Sequence, residues 1–493
     1  MIYPSLEEAL LKAQNVDFVP VALETFADME TPVSVFKRFN DTSSYCFLLD
    51  SVEGGEKWAR YSFIGKDPLL TIRIQGSSAV LLYRDGSAER REGNPYRIIE
   101  EMMNRYKGAN VDGMPRLSGG LVGFFGYDLI RSVENLPNPP HDDLDVPACH
   151  FMLVDETIVF DHLKQKLVLI VNMPTKGDLE LNYAHTVERL YALARTIKDS
   201  GSLAKVSRNS HNNCGPLEVQ SNMEKEYFKK IVLKAKEYIT NGDIFQVVLS
   251  QRFHLPADVE PLNVYRYLRV TNPSPYLYFL KFDDYSLVGA SPEMLLRCEN
   301  GVIETCPIAG TRKRGKTEEE DQRLERELLE DPKELAEHAM LVDLGRNDIG
   351  KVAKFGTVQV TEYMNILRYS HVMHLGSVVR GELREDRTSF DALMSVLPAG
   401  TLSGAPKIRA MEIIDELEPT RRGIYGGAIG FISFNGSMDS CITIRTILFK
   451  DDKAYVQAGC GIVADSVPEN EYEETKIKAG ALLKALREAG NLQ

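Results

Sequence analysis

The sequence predicts an α+β fold built on antiparallel sheets. Three observations carry that reading. Short apolar, β-branched and aromatic runs recur in both halves, polar turns join several into hairpins, and helical patterns stand apart from the strand clusters. Single strands alternating with helices would instead have meant a doubly wound parallel sheet.

In chain order, Leu70–Ile74, Ala79–Tyr83 and Leu167–Val171 read as strands, and Leu136–Pro147 (LPNPPHDDLDVP) as a surface loop. Asp178–Lys198 has helical spacing, with Leu181, Ala184, Leu190 and Leu193 on one side. Asp199–Asn222 is rich in Ser, Asn and Gly and reads as a linker. Met223–Ile239 is helical again, through Phe228, Ile231, Val232, Ala235 and Ile239. The expected regions are therefore 1–200, a linker at 201–222, and 223–493. Beyond the linker, Phe245–Ser250, Tyr276–Phe282, Ile429–Phe434, Cys441–Phe449 and Lys453–Gln457 read as strands. Phe434-Asn-Gly-Ser and Lys450-Asp-Asp-Lys are the hairpin turns.

With 493 residues the chain exceeds one ordinary core. It carries 58 Lys and Arg against 71 Asp and Glu, a net charge of −13 that repels phosphates and anionic lipid, so neither nucleic acid nor membrane is an expected partner. No apolar run is long enough to span a bilayer, and the opening MIYPSLEEALLKAQ lacks the order of a signal peptide. Seven scattered cysteines without a Cys-x-x-Cys pair fit a reducing cytoplasm.

Two helix starts offer carboxylates. Asp331-Pro332-Lys333-Glu334 combines an N-cap Asp, Pro at the first helical position and Glu three residues after the cap, and Glu334 and Glu337 then share a neighbouring face. Ser466-Val-Pro-Glu469 opens a second helix with Glu471 and Glu474 three apart. Facing one cleft, they would suit Mg²⁺. Left to solvent, they are ordinary helix faces, and Glu474 with Lys478 is an ordinary i,i+4 pair. Glycine clusters at 307–312, 397–407 and 457–462 could aim amides at an anion or could simply be turns; none is a nucleotide loop. Arg445, on the strand pattern Cys441–Phe449, is either a carboxylate clamp or a surface Arg. Spacing alone thus reaches an α+β enzyme with an anion pocket and a candidate Mg²⁺ site.

Longer motifs carry more. Pro307-Ile-Ala-Gly-Thr311, the run from Glu334 to Asp348, Gly400-Thr-Leu-Ser-Gly-Ala-Pro-Lys407, Tyr425-Gly-Gly427 and Ile442-Thr-Ile-Arg445 resemble the chorismate-utilising enzyme family. The resemblance spans 223–488 and extends through Leu48–Trp58 and Gly119–Tyr127. It implies a sandwich-like core with helices packed outside. It also implies Glu337 and Glu474 as Mg²⁺ ligands with Glu334 and Glu471 in support, and Gly310, Thr311, Tyr425, Arg445 and the amides of Gly459, Cys460 and Gly461 around chorismate. Glu293 matches the general acid for the departing 4-hydroxyl, and His374 the later elimination. Thr311 and Gln246 belong to the same catalytic group. Members that add water carry Lys where this chain has Gln246, so ammonia is the expected nucleophile. Members that aminate at C4 often carry Lys where this chain has Ala309, so amination at C2 and loss of pyruvate, giving anthranilate, is expected over the C4 alternative of the folate branch. A non-catalytic sensor would not need Glu293, Glu337, His374 and Glu474.

By the same resemblance, 1–200 is a regulatory region that binds tryptophan, at Ser51 facing Pro275, Tyr276 and Leu277. Asp50 and Leu277 depart from the usual Glu and Met. Cys460 stands where Ala is usual, as a space-filler. None of the seven cysteines sits in an amidotransferase nucleophile motif, so a separate glutamine amidotransferase small subunit is expected, in an α2β2 complex or an αβ unit.

Overall fold

The computed structural model describes residues 1–51, 60–198, 218–369 and 372–491. Val52–Trp58 of the Leu48 motif and all of the expected linker up to residue 217 lie outside them. Among the described residues two antiparallel sheets, of thirteen and twelve strands, carry the molecule. The middle of the first runs in space through Lys166–Pro174, Glu156–Asp161, Tyr61–Lys66, Cys46–Asp50, Tyr276–Lys281, Tyr285–Ser291, Thr446–Lys450, Lys453–Ile462 and Gln246–Pro256. The second runs through Ile308–Lys313, Val372–Glu382, Val302–Thr305, Met294–Glu299, Met438–Ile442, Ala428–Ser433, Gly120–Phe125, Cys149–Val154, Leu70–Gln75, Ser78–Tyr83 and Ala88–Glu92.

The expected sandwich is present. Phe47, Phe63, Tyr278 and Leu448 of the first sheet meet Val122, Phe124, Ile429 and Phe431 of the second in one buried cluster. Alternate residues of the same strands face outward: Leu48, Leu277 and Phe279 pack under helices including Pro32–Asn40, Pro261–Thr271 and Pro468–Glu488. Ala428 and Ile432 pack outward in the same way, under Pro95–Arg105, Pro332–Gly350 and Ser389–Val396. Strands covered on both faces must be apolar at every position, which is why their sequence reads as continuous runs. Emptying one such site, as in Phe124→Ala, costs about 3–5 kcal/mol.

The two sequence regions share both sheets. Leu49 of the first region pairs with Tyr278 of the second, and Val122 with Phe431. Gln220 and Ser221, expected within the linker, form a short edge strand on His254 and Phe253. The expected strand Cys441–Phe449 is two strands, Met438–Ile442 in the second sheet and Thr446–Lys450 in the first, and the chain crosses between sheets at 443–445.

Candidate active site

A cavity of about 640 Å³ opens between the Pro332 and Pro468 helices and the strand ends near Gln246, Gly310, His374 and Gly459. Glu293, His374, Thr311 and Gln246 all line it. So do Gly310, Tyr425, Arg445, Gly459 and Gly461, together with Glu337 and Glu474 from opposite helices.

Glu293 follows Tyr285–Ser291 and is held by its main-chain oxygen, which accepts from the Ile442 N–H at 3.0 Å. Burial pushes its carboxyl up to about 8, against the smaller opposing pulls of Thr401 and Lys478. At neutral pH it therefore holds a proton. His374 Nδ1 lies 2.9 Å from the Gly310 carbonyl oxygen and 3.1 Å from Thr311 Oγ1. A carbonyl can only accept, so Nδ1 carries the hydrogen and Nε2 is left as a lone pair. Burial lowers the His374 pKa and keeps the ring neutral.

Gly310 bends the chain at φ +62°, and a Cβ there would meet Glu334 Oε2 at 3.0 Å and Leu328 at 2.9 Å. A side chain would therefore displace the loop that holds His374. Arg445 occupies the crossover with φ +51°, so it is not the mid-strand residue that sequence alternation suggested. Its guanidinium donates to the Lys478 carbonyl, is half-buried, and has its pKa lowered by burial. Among the described residues no carboxylate forms an ion pair with it, as suits a group awaiting an anionic substrate.

Asp331 caps the Pro332 helix as expected, accepting from the N–H groups of Lys333 and Glu334. Glu334, however, turns to Arg312 Nη1 at 3.1 Å instead of back to the cap. Glu337 stays without a cationic partner at hydrogen-bonding distance, and its pKa is raised by burial and by Glu334. The Pro468 helix is capped by Val467 without a side-chain bond, whereas Ser466 Oγ accepts from the Val463 N–H. Glu474 makes the i,i+4 pair with Lys478 at 2.7 Å. No cluster of three or more metal-ligating side chains occurs among the described residues. The donor set still suits a hard cation: Glu337 and Glu474 face one cavity, and the Glu334 charge beside Glu337 is a repulsion that a cation would relieve.

Gly459 and Gly461 flank a residue that is not at the site. Val248 and Ser250 send their N–H groups to Ser403 O and Glu418 Oε1, away from Lys453–Ile462, so Leu249 and Cys460 form the hydrogen-bonded pair. The Cys460 amide is thus committed to the sheet and its thiol is buried against Leu249, which removes Cys460 from the substrate-facing set. Gly459 and Gly461 point their amides to the opposite edge, toward the cavity. A Cβ on Gly461 would lie 2.5 Å from Gln246 Nε2.

Sequence reasoning missed several supports. Thr401 bonds Glu293, and Lys478 also donates to the Gly459 carbonyl. Arg422 and Glu418 form a fully buried pair that also binds Val248 O, Leu402 O and Ser250. Lys407 and Asp348 tie the 400–407 loop to the Pro332 helix at 2.7 Å. Thr401, Lys407 and Asp348 lie within the quoted motifs, but nothing in the spacing says which residue meets which.

Ser51, Pro275, Tyr276 and Leu277 line a separate cavity, walled also by Tyr61, Phe63, Phe431 and Arg116. Ser51 Oγ is buried there without a hydrogen-bond partner among the described residues. Asp50 is spent below it, accepting from Ser62 Oγ at 2.6 Å, Arg269 Nε at 2.8 Å and Tyr265 at 3.1 Å.

Residues 45–484 match the family model described as chorismate binding enzyme. The chain is 60% identical to anthranilate synthase component 1 of Acetivibrio thermocellus over 100% of both chains, and 46% identical to that of Aquifex aeolicus over 99% of both. The crystal structure of anthranilate synthase component I from Streptococcus pneumoniae superposes with a TM-score of 0.77 at 39% identity, over 93% of this chain and 98% of that one. The chain belongs to the chorismate-binding enzyme family, and within it to the anthranilate synthase component 1 group.

Proposed function

We propose that this chain aminates chorismate at C2 with ammonia and expels pyruvate to leave anthranilate. The observation that carries the reading is the pairing, in one cavity, of a protonated buried Glu293 with a neutral His374 whose Nε2 carries the lone pair.

Chorismate is a dianion. Arg445 and the amides of Gly459 and Gly461 supply positive ends for its carboxylates, offsetting the cost of desolvating them. Glu293 donates its proton to the 4-hydroxyl, which leaves as water instead of hydroxide. Gln246 has an amide where a base for water would stand, and its side chain bonds Glu337. Ammonia needs no such base. His374 Nε2 then removes the C2 proton, the enolpyruvyl group departs and the ring becomes aromatic. Glu337 and Glu474 would hold Mg²⁺, whose contribution when bound is to neutralise a substrate carboxylate and polarise it.

The small-subunit reading rests on the component 1 group and on the six described cysteines, all free and buried and none able to act as a surface nucleophile. A glutamine amidotransferase would supply ammonia, in an α2β2 or αβ assembly in the cytoplasm. No helix among the described residues is long and apolar enough to cross a membrane. The Ser51 cavity has aromatic walls, charged groups including Arg116 and Asp439, and a hydroxyl without a partner among the described residues, a mixture that suits the ring and the charged ends of tryptophan as feedback inhibitor.

The test is direct. Chain, chorismate, Mg²⁺ and ammonium at alkaline pH should give fluorescent anthranilate, whereas glutamine should not replace ammonium. A product with nitrogen at C4 and the enolpyruvyl group retained would overturn the reading.

A further inference from the structure

Behind Tyr425 and Gln457 lies a second cavity of about 20 Å³, large enough for one water-sized molecule. Tyr425 and Gln457 line the substrate cavity as well, so they form the partition between the two. Thr443, Tyr455, Arg252 and Arg422 complete much of the wall.

Two oxygens on this wall are buried without a hydrogen-bond partner among the described residues, Thr443 Oγ1 and Gln457 Oε1. The Gln457 amide has no freedom to turn. Ser250 gives its hydroxyl hydrogen to Glu418 Oε1 at 2.9 Å, a carboxylate paired with Arg422. Only lone pairs remain on Ser250 Oγ, so the group 2.8 Å away must be the Gln457 NH₂, and Oε1 is fixed as an acceptor. A buried acceptor left unpaired costs about 1–3 kcal/mol. Gln457 Oε1 can only accept, and the Thr443 hydroxyl can accept or donate, so an occupant beside them must give at least one hydrogen to Gln457.

That occupant must be very small. It should also be uncharged, because Arg252 and Arg422 flank it, already paired with Asp143 and Glu418. Water and neutral ammonia share this chemistry. Ammonia attacks only as NH₃, and a site flanked by two guanidinium groups that offers a fixed acceptor in Gln457 and a hydroxyl in Thr443 disfavours ammonium and suits that form. We propose that this cavity seats one molecule of neutral ammonia, held by Gln457 Oε1 and Thr443 Oγ1 at the edge of the substrate cavity. The inference rests on the amination reading above and adds the residues that bind its nucleophile.

The test uses the full chain with ammonium and Mg²⁺, varying NH₃ at fixed pH and, separately, varying chorismate. Gln457→Met removes the acceptor at similar size, and should raise KM for NH₃ about tenfold or more, the equivalent of ~1.4 kcal/mol. Thr443→Val, nearly isosteric, should raise it in the same direction and keeps the test alive if Gln457→Met folds poorly. The KM for chorismate should stay within about twofold in both. An unchanged KM for NH₃ in both variants would mean an ordered water only, and sinks the seat while the amination reading stands. An equal rise in both KM values would mean general distortion and sinks it too. A wild-type chain that makes no anthranilate from ammonium removes the reading and the seat together.

Discussion

Thr401 donates its hydroxyl hydrogen to Oε1 of Glu293 at 3.1 Å, across the mouth of the loop that Lys407 anchors. The bond favours the ionised carboxylate and so opposes the burial that keeps Glu293 protonated. Thr401→Val should therefore move the basic limb of kcat/KM, measured at constant NH₃, to higher pH. A limb that stays in place, or moves down, would separate that limb from Glu293.

Replacing the acid itself makes two linked predictions. Glu293→Gln keeps the volume but has no proton to give, and should lower kcat by about 10² to 10⁴. The folded pKa of about 8 lies above the ordinary 4.5, so the stability held by the neutral carboxyl is intact below pH 4.5 and is lost as pH rises toward 8. Across that window the variant should gain stability relative to wild type. Urea unfolding at pH 5 and pH 8.5 measures the change; parallel curves would contradict it.

Glu337 and Glu474 come from different helices, so each should matter separately. Glu474→Gln or Glu337→Gln should cost on the order of 10² in ammonium-supported activity and raise the Mg²⁺ needed for half-saturation. Normal Mg²⁺ dependence in Glu474→Gln would remove it from the ligand set.

Ser51→Phe fills the cavity that also holds Pro275 and Tyr276, which shares no lining residue with the substrate cavity. Tryptophan inhibition should disappear, a loss of about 1–3 kcal/mol of coupling, with the uninhibited rate nearly unchanged. Full inhibition of the variant would place the effector elsewhere.

Ala309 lines the substrate cavity beside Gly310 and is almost fully buried. Ala309→Lys puts a long cationic chain into that space and should impair anthranilate formation. Mass spectrometry of products then reads whether nitrogen still reaches C2; an unaffected rate would mean that the side chain points away from the reaction.

The fold class and most cavity residues were legible because they lie in long motifs or in runs whose period is imposed by burial on two faces. Arg445 was misplaced for a physical reason: Cys441–Phe449 alternates apolar and polar residues with no Gly or Pro to mark a turn, so the crossover at 443–445 leaves no break in the strand pattern, and only the backbone turn at Arg445 reveals it. Cys460 could not be excluded by composition, since its amide is taken by a pairing register that depends on Ser403 and Glu418. Gln457 was illegible as a binding residue because its significance lies in an oxygen left over after Ser250 and Glu418 have been satisfied.

The pairing of Leu49 with Tyr278 and of Val122 with Phe431 bears on how the chain can be divided. Removing the first 200 residues would bare the long apolar edges Tyr276–Lys281 and Ala428–Ser433, which are templates for aggregation. A catalytic half made alone should be insoluble, and activity should return only when the missing fragment is co-expressed to zip onto both edges. The same stitching should make the two sequence regions one cooperative unit in unfolding. A cut near residue 200 therefore splits both sheets at once, so neither region can be lifted out as a module without a new partner for the edge it leaves bare.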